Sequence, residues 1–364
     1  MNVLDKLEKR TKRIRNDYSD ITVSVFEDIA ETLKPADETS FMNWRVEAEA
    51  SKHLFVHQEA KKIRNELLDK KDTLSNEILE ASNDVEKDNA KYFSKPDFEL
   101  ANKSVEKIRD EALKDFHDKI EKTLLDKNIS NNAIRKAYDD ILGRASRNVV
   151  TGEMTLQSAI EKAVMEVYEK GLPSEFWDSA GRNWSVERYA EAVTRSAMQN
   201  TYNDVRTARM EQEELYTVLV SSHPRSREAC SYCQGKVIDI RPIGENTSGY
   251  PSAYEYGYGT PAGHRGINCK HQWFPFDPEI NVNNQIQYDP QEAQRNEAIE
   301  QQRNILARRI RKTKGKIQIA EKLGSDNVNR YKKLLRKQQE RMRDFIDKYE
   351  LKRDYNKERL IPRP

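Results

Sequence analysis

Glycine and proline are scarce, 13 and 12 in 364 residues, so little interrupts a long helix. Apolar residues are under-represented too, at 36% against roughly 45–50% in ordinary globular chains, which excludes one thick globular core. Long apolar runs are missing: no segment approaches the roughly 20 residues that cross a bilayer. The N-terminus, MNVLDKLEKRTKRIRNDYSD, lacks the apolar stretch of a secretory signal. The expectation is a protein that begins in a cytoplasm and has no membrane partner. Cysteine is limited to three residues, all between Cys230 and Cys269. An odd, clustered set in that compartment points to a metal site more than to disulfides.

What is abundant is charge, 34% of the chain against about 25% usually. The formal total is only +2, but residues 301–364 hold 21 Lys/Arg against 8 Asp/Glu, so that tail carries +13 and the rest is acidic overall. A basic arm on an acidic body suits an anionic partner, nucleic acid first. It equally suits a solvated helical face. The length suggests two or three domains.

Hydrophobic spacing divides the chain into three zones and predicts an α+β fold that is predominantly α-helical. Residues 1–130 read as an N-terminal helical arm. Within it, Phe41–Lys70 has sparse apolar positions at Leu54, Val56 and Ile63. Phe98, Leu100, Val105, Ile108, Leu113, Phe116, Ile120 and Leu124 form one three/four-spaced stripe. Residues 131–281 form a core domain on a helical scaffold. Ile160, Ala163, Val164, Val167 and Tyr168 share a helix that Gly171-Leu172-Pro173 stops. Ser185 can cap the next helix, with Arg188 where a complete capping box needs Glu; that helix carries Tyr189, Val193, Ala197 and Val205. Residues 216–281 then change character: Tyr216–Val220, Lys236–Ile240 and Gln272–Phe274 are strand candidates around an irregular loop, Pro242–Gly266. So small a sheet is weak alone and gains from a staple. Residues 282–364 read as a basic helical hairpin with coiled-coil character. Ile310 and Ile317 are seven apart, as are Leu335, Met342 and Tyr349, with Tyr331 and Phe345 adjoining. Gly324-Ser325-Asp326-Asn327 breaks the helix and can cap its successor, and Ile361–Pro364 reads as a frayed end.

The sharpest local signal is Cys230-Ser-Tyr-Cys233, followed by His264 and then Cys269-Lys-His271. Two thiolates on one tight turn, joined by ligands from a second loop, complete the tetrahedron that structural zinc prefers. Cys230, Cys233 and Cys269 are three ligands; the fourth is His271, two residues on in an extended segment, or His264 on a glycine-flanked loop. Binding would close a loop of about 35 residues and couple metal affinity to folding. Buried thiols beside surface histidines are the alternative. A redox Cys-x-x-Cys lacks its βαβ context, and catalytic zinc lacks a positioned Glu.

Several fragments occur in order: Trp184, Tyr189, Thr194-Arg195, Asn200 and Arg206; Val220-Ser-Ser-His-Pro-Arg225; Cys230-x-x-Cys233-Gln-Gly-Lys-Val237; Tyr250-Pro251; Tyr258-Gly259; and Gly266-Ile-Asn-Cys269-Lys-His271, closing on Phe274-Pro-Phe276. Together they resemble the phage minor capsid proteins, related to the phage Mu F-like head morphogenesis proteins, over about residues 180–280. Lys270 stands where that pattern usually has Arg. His264 lies five residues before Cys269 rather than two or three, which leaves the fourth ligand open. The resemblance implies a component of the phage head interior, made in the host cytoplasm and present in several copies. Its implied partners are the portal protein and the major capsid protein, and its implied roles are head assembly, DNA packaging or DNA ejection.

Two other classes remain. Comparison of such head proteins with ADP-ribosyltransferase folds suggests an enzyme, but its acids would be Glu255 on a loop or Glu211 and Glu213 on a helix, with His223 or Arg225 as partner, a poor constellation. A general DNA-binding factor would use the basic tail on packaged double-stranded DNA. Arg195, Arg206 and Arg209 can touch phosphate or brace the Cys-rich module, and Tyr254, Tyr256 and Tyr258 can stack on a partner or pack on their own sheet.

Overall fold

The computed structural model describes residues 3–36, 39–89, 98–126, 132–152, 154–178, 181, 183–260, 262–266 and 269–360, for some helical residues the backbone alone. Helices dominate: α1 (Val3–Leu33), α2 (Phe41–Asn89), α3 (Phe98–Leu125), α4 (Ala133–Val150), α5 (Leu156–Lys170), α6 (Val186–Gln212), the one-turn α7 (Glu228–Ser231), α8 (Pro290–Leu323) and α9 (Val328–Lys348). Strands β1 (Pro173–Trp177) and β2 (Asn183–Ser185) pair antiparallel, and β3 (Thr217–Val220), β4 (Val237–Asp239) and β5 (Trp273–Pro275) form a second antiparallel sheet. This is the mostly helical α+β class that the spacing predicts, and no helix among the described residues is long and apolar enough to cross a membrane.

The chain forms two compact units. One comprises residues 12–72, 115–191 and 303–364. Its core is a set of helical stripes: Ile21, Val25, Phe26, Ile29 and Leu33 on α1, Ile134, Tyr138 and Ile141 on α4, and Ile160, Ala163, Val164 and Tyr168 on α5 are buried. Fully burying one such large side chain contributes about 1.5–3 kcal/mol. Buried polar groups find partners here: the Trp44 indole donates to Leu33 O at 2.8 Å, and the Tyr138 hydroxyl to Ala48 O at 2.9 Å. Leu113 on α3, in the other unit, and Ile120 and Leu124 are buried as the α3 stripe predicts; Phe98, Leu100, Val105, Ile108 and Phe116 lie outside the described side chains. Gly315, in mid-α8, lets two helices touch. A Cβ there would lie 2.0 Å from the Tyr168 hydroxyl, so no larger residue fits without displacement.

The expected break at Gly324 is present, with φ +66°, and Ala307, Ile310 and Met342 form the buried seam of the α8–α9 hairpin. One detail differs. Asn327 occupies the N-cap position of α9 but makes no side-chain cap; its amide instead donates to the buried Glu161 carboxylate at 3.0 Å. The expected frayed end at Ile361–Pro364 lies outside the described residues.

The other unit comprises residues 1–11, 73–114 and 192–302. Its three-stranded sheet has the order β4-β3-β5, with Leu219 opposite Val237 and Val220 opposite Trp273. Central β3 is buried throughout. Alternation sends Val218 and Val220 to one core, with Met210, Cys233, Ile238, Ala253 and Trp273, and Leu219 to the other, with Val237 and Phe276. The chain leaves β3 and returns to β5 at one neck. There Ser221 N–H donates to Gln272 O at 2.8 Å, and Gln272 N–H to Ser221 Oγ at 2.9 Å. The first turns of α8 hold this excursion: Gln294 donates to Ser231 Oγ, Asn296 to Pro224 O, and Arg225 pairs with Glu300 at 2.8 Å.

Candidate metal centre

The site is assembled by two short segments at the sheet. After β3, Arg227 opens α7, which carries Cys230; the chain then turns through Cys233 and Gln234 to Gly235 at φ +71° and enters β4. Gly235 N–H donates back to Val220 O. A Cβ on Gly235 would meet Gln287 Nε2 at 2.8 Å, so the turn is closed on both sides. The second segment descends from the Tyr-rich loop through His264 and Cys269 to His271, immediately before β5. Ser252 and Glu255 form a capping box that fixes that loop, and Tyr256 and Tyr258 pack on the sheet core.

All five predicted ligands are buried: Cys230, Cys233 and His264 at 0% exposure, His271 at 3% and Cys269 at 4%. The ligand atoms of Cys230, His264, Cys269 and His271 lie within 4.8 Å of one another. Cys233 joins the group through His264, its Sγ standing 3.3 Å from His264 Nδ1. Cys230 Sγ and Cys269 Sγ are 3.6 Å apart, and Cys269 Sγ is 3.6 Å from His271 Nδ1. The three cysteines are free thiols, too far apart for an S–S bond of about 2.05 Å. For metal–sulfur bonds of about 2.3 Å and metal–nitrogen bonds of about 2.05 Å, tetrahedral edges are about 3.8 and 3.6 Å. The spacing and the soft donor set therefore fit a metal ion, and this Cys/His group can hold one.

The electrostatics show what a cation would change. The contact with Cys269, followed by burial, holds the Cys230 thiol well above the ordinary thiol range, while the same contact pulls Cys269 well below it. Burial pushes Cys233 up to about 12 and drops His264 to about 3. A dication reverses this preference and takes the sulfurs as thiolates.

The surrounding residues were less legible. Arg206 of α6 donates to Trp273 O at 2.8 Å and is ion-paired with Asp88; Arg265 stacks 4.2 Å from the Trp273 ring and pairs with Asp204 at 3.2 Å. Arg206 thus braces the module, the second of the two roles open to it. Gln234 Oε1 accepts from the His223 backbone N–H and contacts His271 Nε2, both at 3.1 Å. Gln234 sits beside Cys233 in the motif, but nothing local signals its bond to a residue 37 positions away. Glu255, the loop acid among those offered for transferase chemistry, accepts Ser252 N–H at 2.9 Å in the capping box.

The family described as phage minor capsid protein 2 matches residues 4–347. The chain belongs to that family. A structural protein of Lactococcus phage LL-H is 32% identical over 294 residues, 79% of each chain. A structural protein of Lactococcus phage mv4 is 38% identical over 113 residues, 30% of this chain and 92% of that one. No solved structure matches. The family match runs far beyond residues 180–280, so the helical arms belong to the minor capsid protein as much as the Cys/His module does. The chain is a phage structural protein and hence a virion component.

Proposed function

We propose that this minor capsid protein works inside the phage head, contacts the portal protein and the major capsid protein, and assists head assembly, DNA packaging or DNA ejection. On this reading its role is structural rather than catalytic, and its Cys/His module is stapled by one zinc ion. The observation that carries the proposal is family membership over residues 4–347, supported by phage structural proteins as relatives. Zinc is supported by a buried Cys/His donor group whose Cys230–Cys269 and Cys269–His271 edges, 3.6 Å each, are close to tetrahedral ones. The proposed division of labour follows the chain: a helical arm at 1–130, the core domain at 131–281, and a basic hairpin with coiled-coil character at 282–364.

The DNA partner is supported by α9. Arg330, Lys333, Lys337 and Arg341 are exposed and fall on one stripe about 16 Å long, with exposed Arg336 and Arg343 beside it. None of the six has an ion-pair partner among the described residues. Such a ridge suits a phosphate backbone and no particular base sequence.

Protease treatment of purified heads tests the location. The protein stays intact in closed heads and is cleaved once they are opened; cleavage in closed heads contradicts an interior site. Crosslinking in assembling heads should join it to the portal and major capsid proteins. Changing Arg330, Lys333, Lys337 and Arg341 to Gln should lower the slope of log affinity against log salt by about 3–4 on double-stranded DNA. An unchanged slope removes DNA from the partners of this ridge.

A further inference from the structure

The four ligand atoms that lie within 4.8 Å of one another include both histidines and leave out Cys233, so a set with Cys233 requires its sulfur to close on the others, but hydrogen bonds treat the two histidines differently. The Trp273 indole N–H is a donor only, and it is buried at 1% exposure. It points at His264 Nε2 at 2.8 Å, so that nitrogen presents a lone pair. A neutral imidazole with its lone pair at Nε2 carries its proton on Nδ1, the atom that faces Cys233 Sγ at 3.3 Å. To ligate through Nδ1, His264 would have to move that proton to Nε2, head-on against the indole N–H. Ligation through Nε2 removes the indole's acceptor as well. Either way a buried donor loses its partner.

His271 is arranged the opposite way. Gln234 Oε1 accepts the His223 backbone N–H at 3.1 Å, which fixes the amide with its oxygen toward the site. That oxygen is also 3.1 Å from His271 Nε2, so Nε2 carries the proton and Nδ1, 3.6 Å from Cys269 Sγ, presents its lone pair to the cluster. An outward N–H held by an oxygen is how ligating histidines are oriented. Charge agrees. Three thiolates leave a zinc site with one negative charge, and two cations stand beside it: the Arg227 guanidinium, which donates to Gly263 O next to His264, and Arg265 against the Trp273 ring.

We propose that the ligands are Cys230, Cys233, Cys269 and His271 Nδ1, and that His264 is a positioning residue, held by Trp273, whose Nδ1–H donates to the Cys233 sulfur. This ligand set rests on the zinc reading above and satisfies every donor just named: indole to His264, His264 to Cys233, His271 to Gln234. It makes His264, the histidine nearest Cys233, the one that does not bind metal.

X-ray absorption at the zinc edge on the full-length protein tests it. Three sulfurs and one nitrogen are expected; two sulfurs and two nitrogens overturn the ligand set and leave the zinc reading intact. Failure to hold stoichiometric zinc, as purified or after adding zinc ions, sinks the zinc reading itself. In His264→Ala one zinc per chain remains, with affinity about 10–100-fold weaker and the sulfur count unchanged; loss of a nitrogen from the zinc shell in this variant contradicts the proposal. Cys233→Ser loses the ion or drops one sulfur, and a variant with an unchanged sulfur count overturns it.

Discussion

The helical unit of residues 12–72, 115–191 and 303–364 and the Cys/His module at 216–276 are built on opposite principles. The first buries long periodic stripes, and most of its stability is apolar area. The second has three strands of three or four residues and a core too small to stand alone. It depends on particular polar contacts: the neck at Ser221 and Gln272, the bonds of Gln234, the guanidinium of Arg206. Apolar stripes tolerate exchange of one hydrophobic residue for another, whereas a web of single donors and acceptors does not.

The largest expected effect separates the two regions directly. On the zinc reading, chelation removes the proposed ion and Cys269→Ser one of its ligands, and such binding contributes on the order of 10 kcal/mol in small zinc-dependent folds. Residues 221–272 should then become protease-sensitive while most of the far-ultraviolet helical signal persists. Equal protection with and without chelator breaks the contrast. Next is Arg206→Met, which removes the donor to Trp273 O and the ion pair with Asp88. A loss of about 3 kcal/mol is expected, read by denaturant unfolding, and a loss below about 1 kcal/mol shows that the brace is dispensable.

The helical unit offers the matching test. Gly315→Ala puts a methyl into the Tyr168 hydroxyl and should cost about 1–3 kcal/mol without altering protease protection of residues 221–272. Tyr168→Phe in the same chain should return part of that loss, and no rescue argues against this contact as the cause. The smallest effect is Glu59→Gln. Burial first, then Asp28, raises the Glu59 carboxyl to about 7, above its value of about 4.3 in the unfolded chain. The folded state therefore binds this proton more tightly. The penalty for the charged form is complete above pH 7 and fades as pH falls from 7 towards 4. The Gln variant should be more stable by about 1 kcal/mol at pH 8, after allowance for screening by solvent, and equal to the parent near pH 4; a pH-independent difference refutes the assignment.

The same contrast explains what the sequence revealed. Helical stripes repeat every three or four residues, so Ile160–Tyr168, the α3 stripe and the break at Gly324 could be read directly. Strands β3, β4 and β5 were legible because β-branched runs sat between turn residues. Cys230, Cys233, His264, Cys269 and His271 were marked by rarity and spacing. The β1–β2 hairpin was not foreseen: Pro173 looked like a stop, and the packing of Phe176 against Trp184 and Tyr189 leaves no local signature. Arg206, Asp204 and Gln234 acquire meaning only from partners tens of residues away. Asn327, at the cap position of α9, likewise takes its role from a distant partner, its amide bonding Glu161 rather than the local backbone.

The neck at Ser221 and Gln272 has one further consequence. Because the chain departs from β3 and arrives at β5 side by side, everything between is a closed excursion with a common gate. Residues can be gained or lost within the mostly exposed stretch 242–249, ahead of the buried Ser252, Ala253 and His264, without moving the point where the backbone rejoins its frame. Length variation among relatives should therefore gather in that interval, and grafted peptides should be accepted there more readily than at any helix–helix turn.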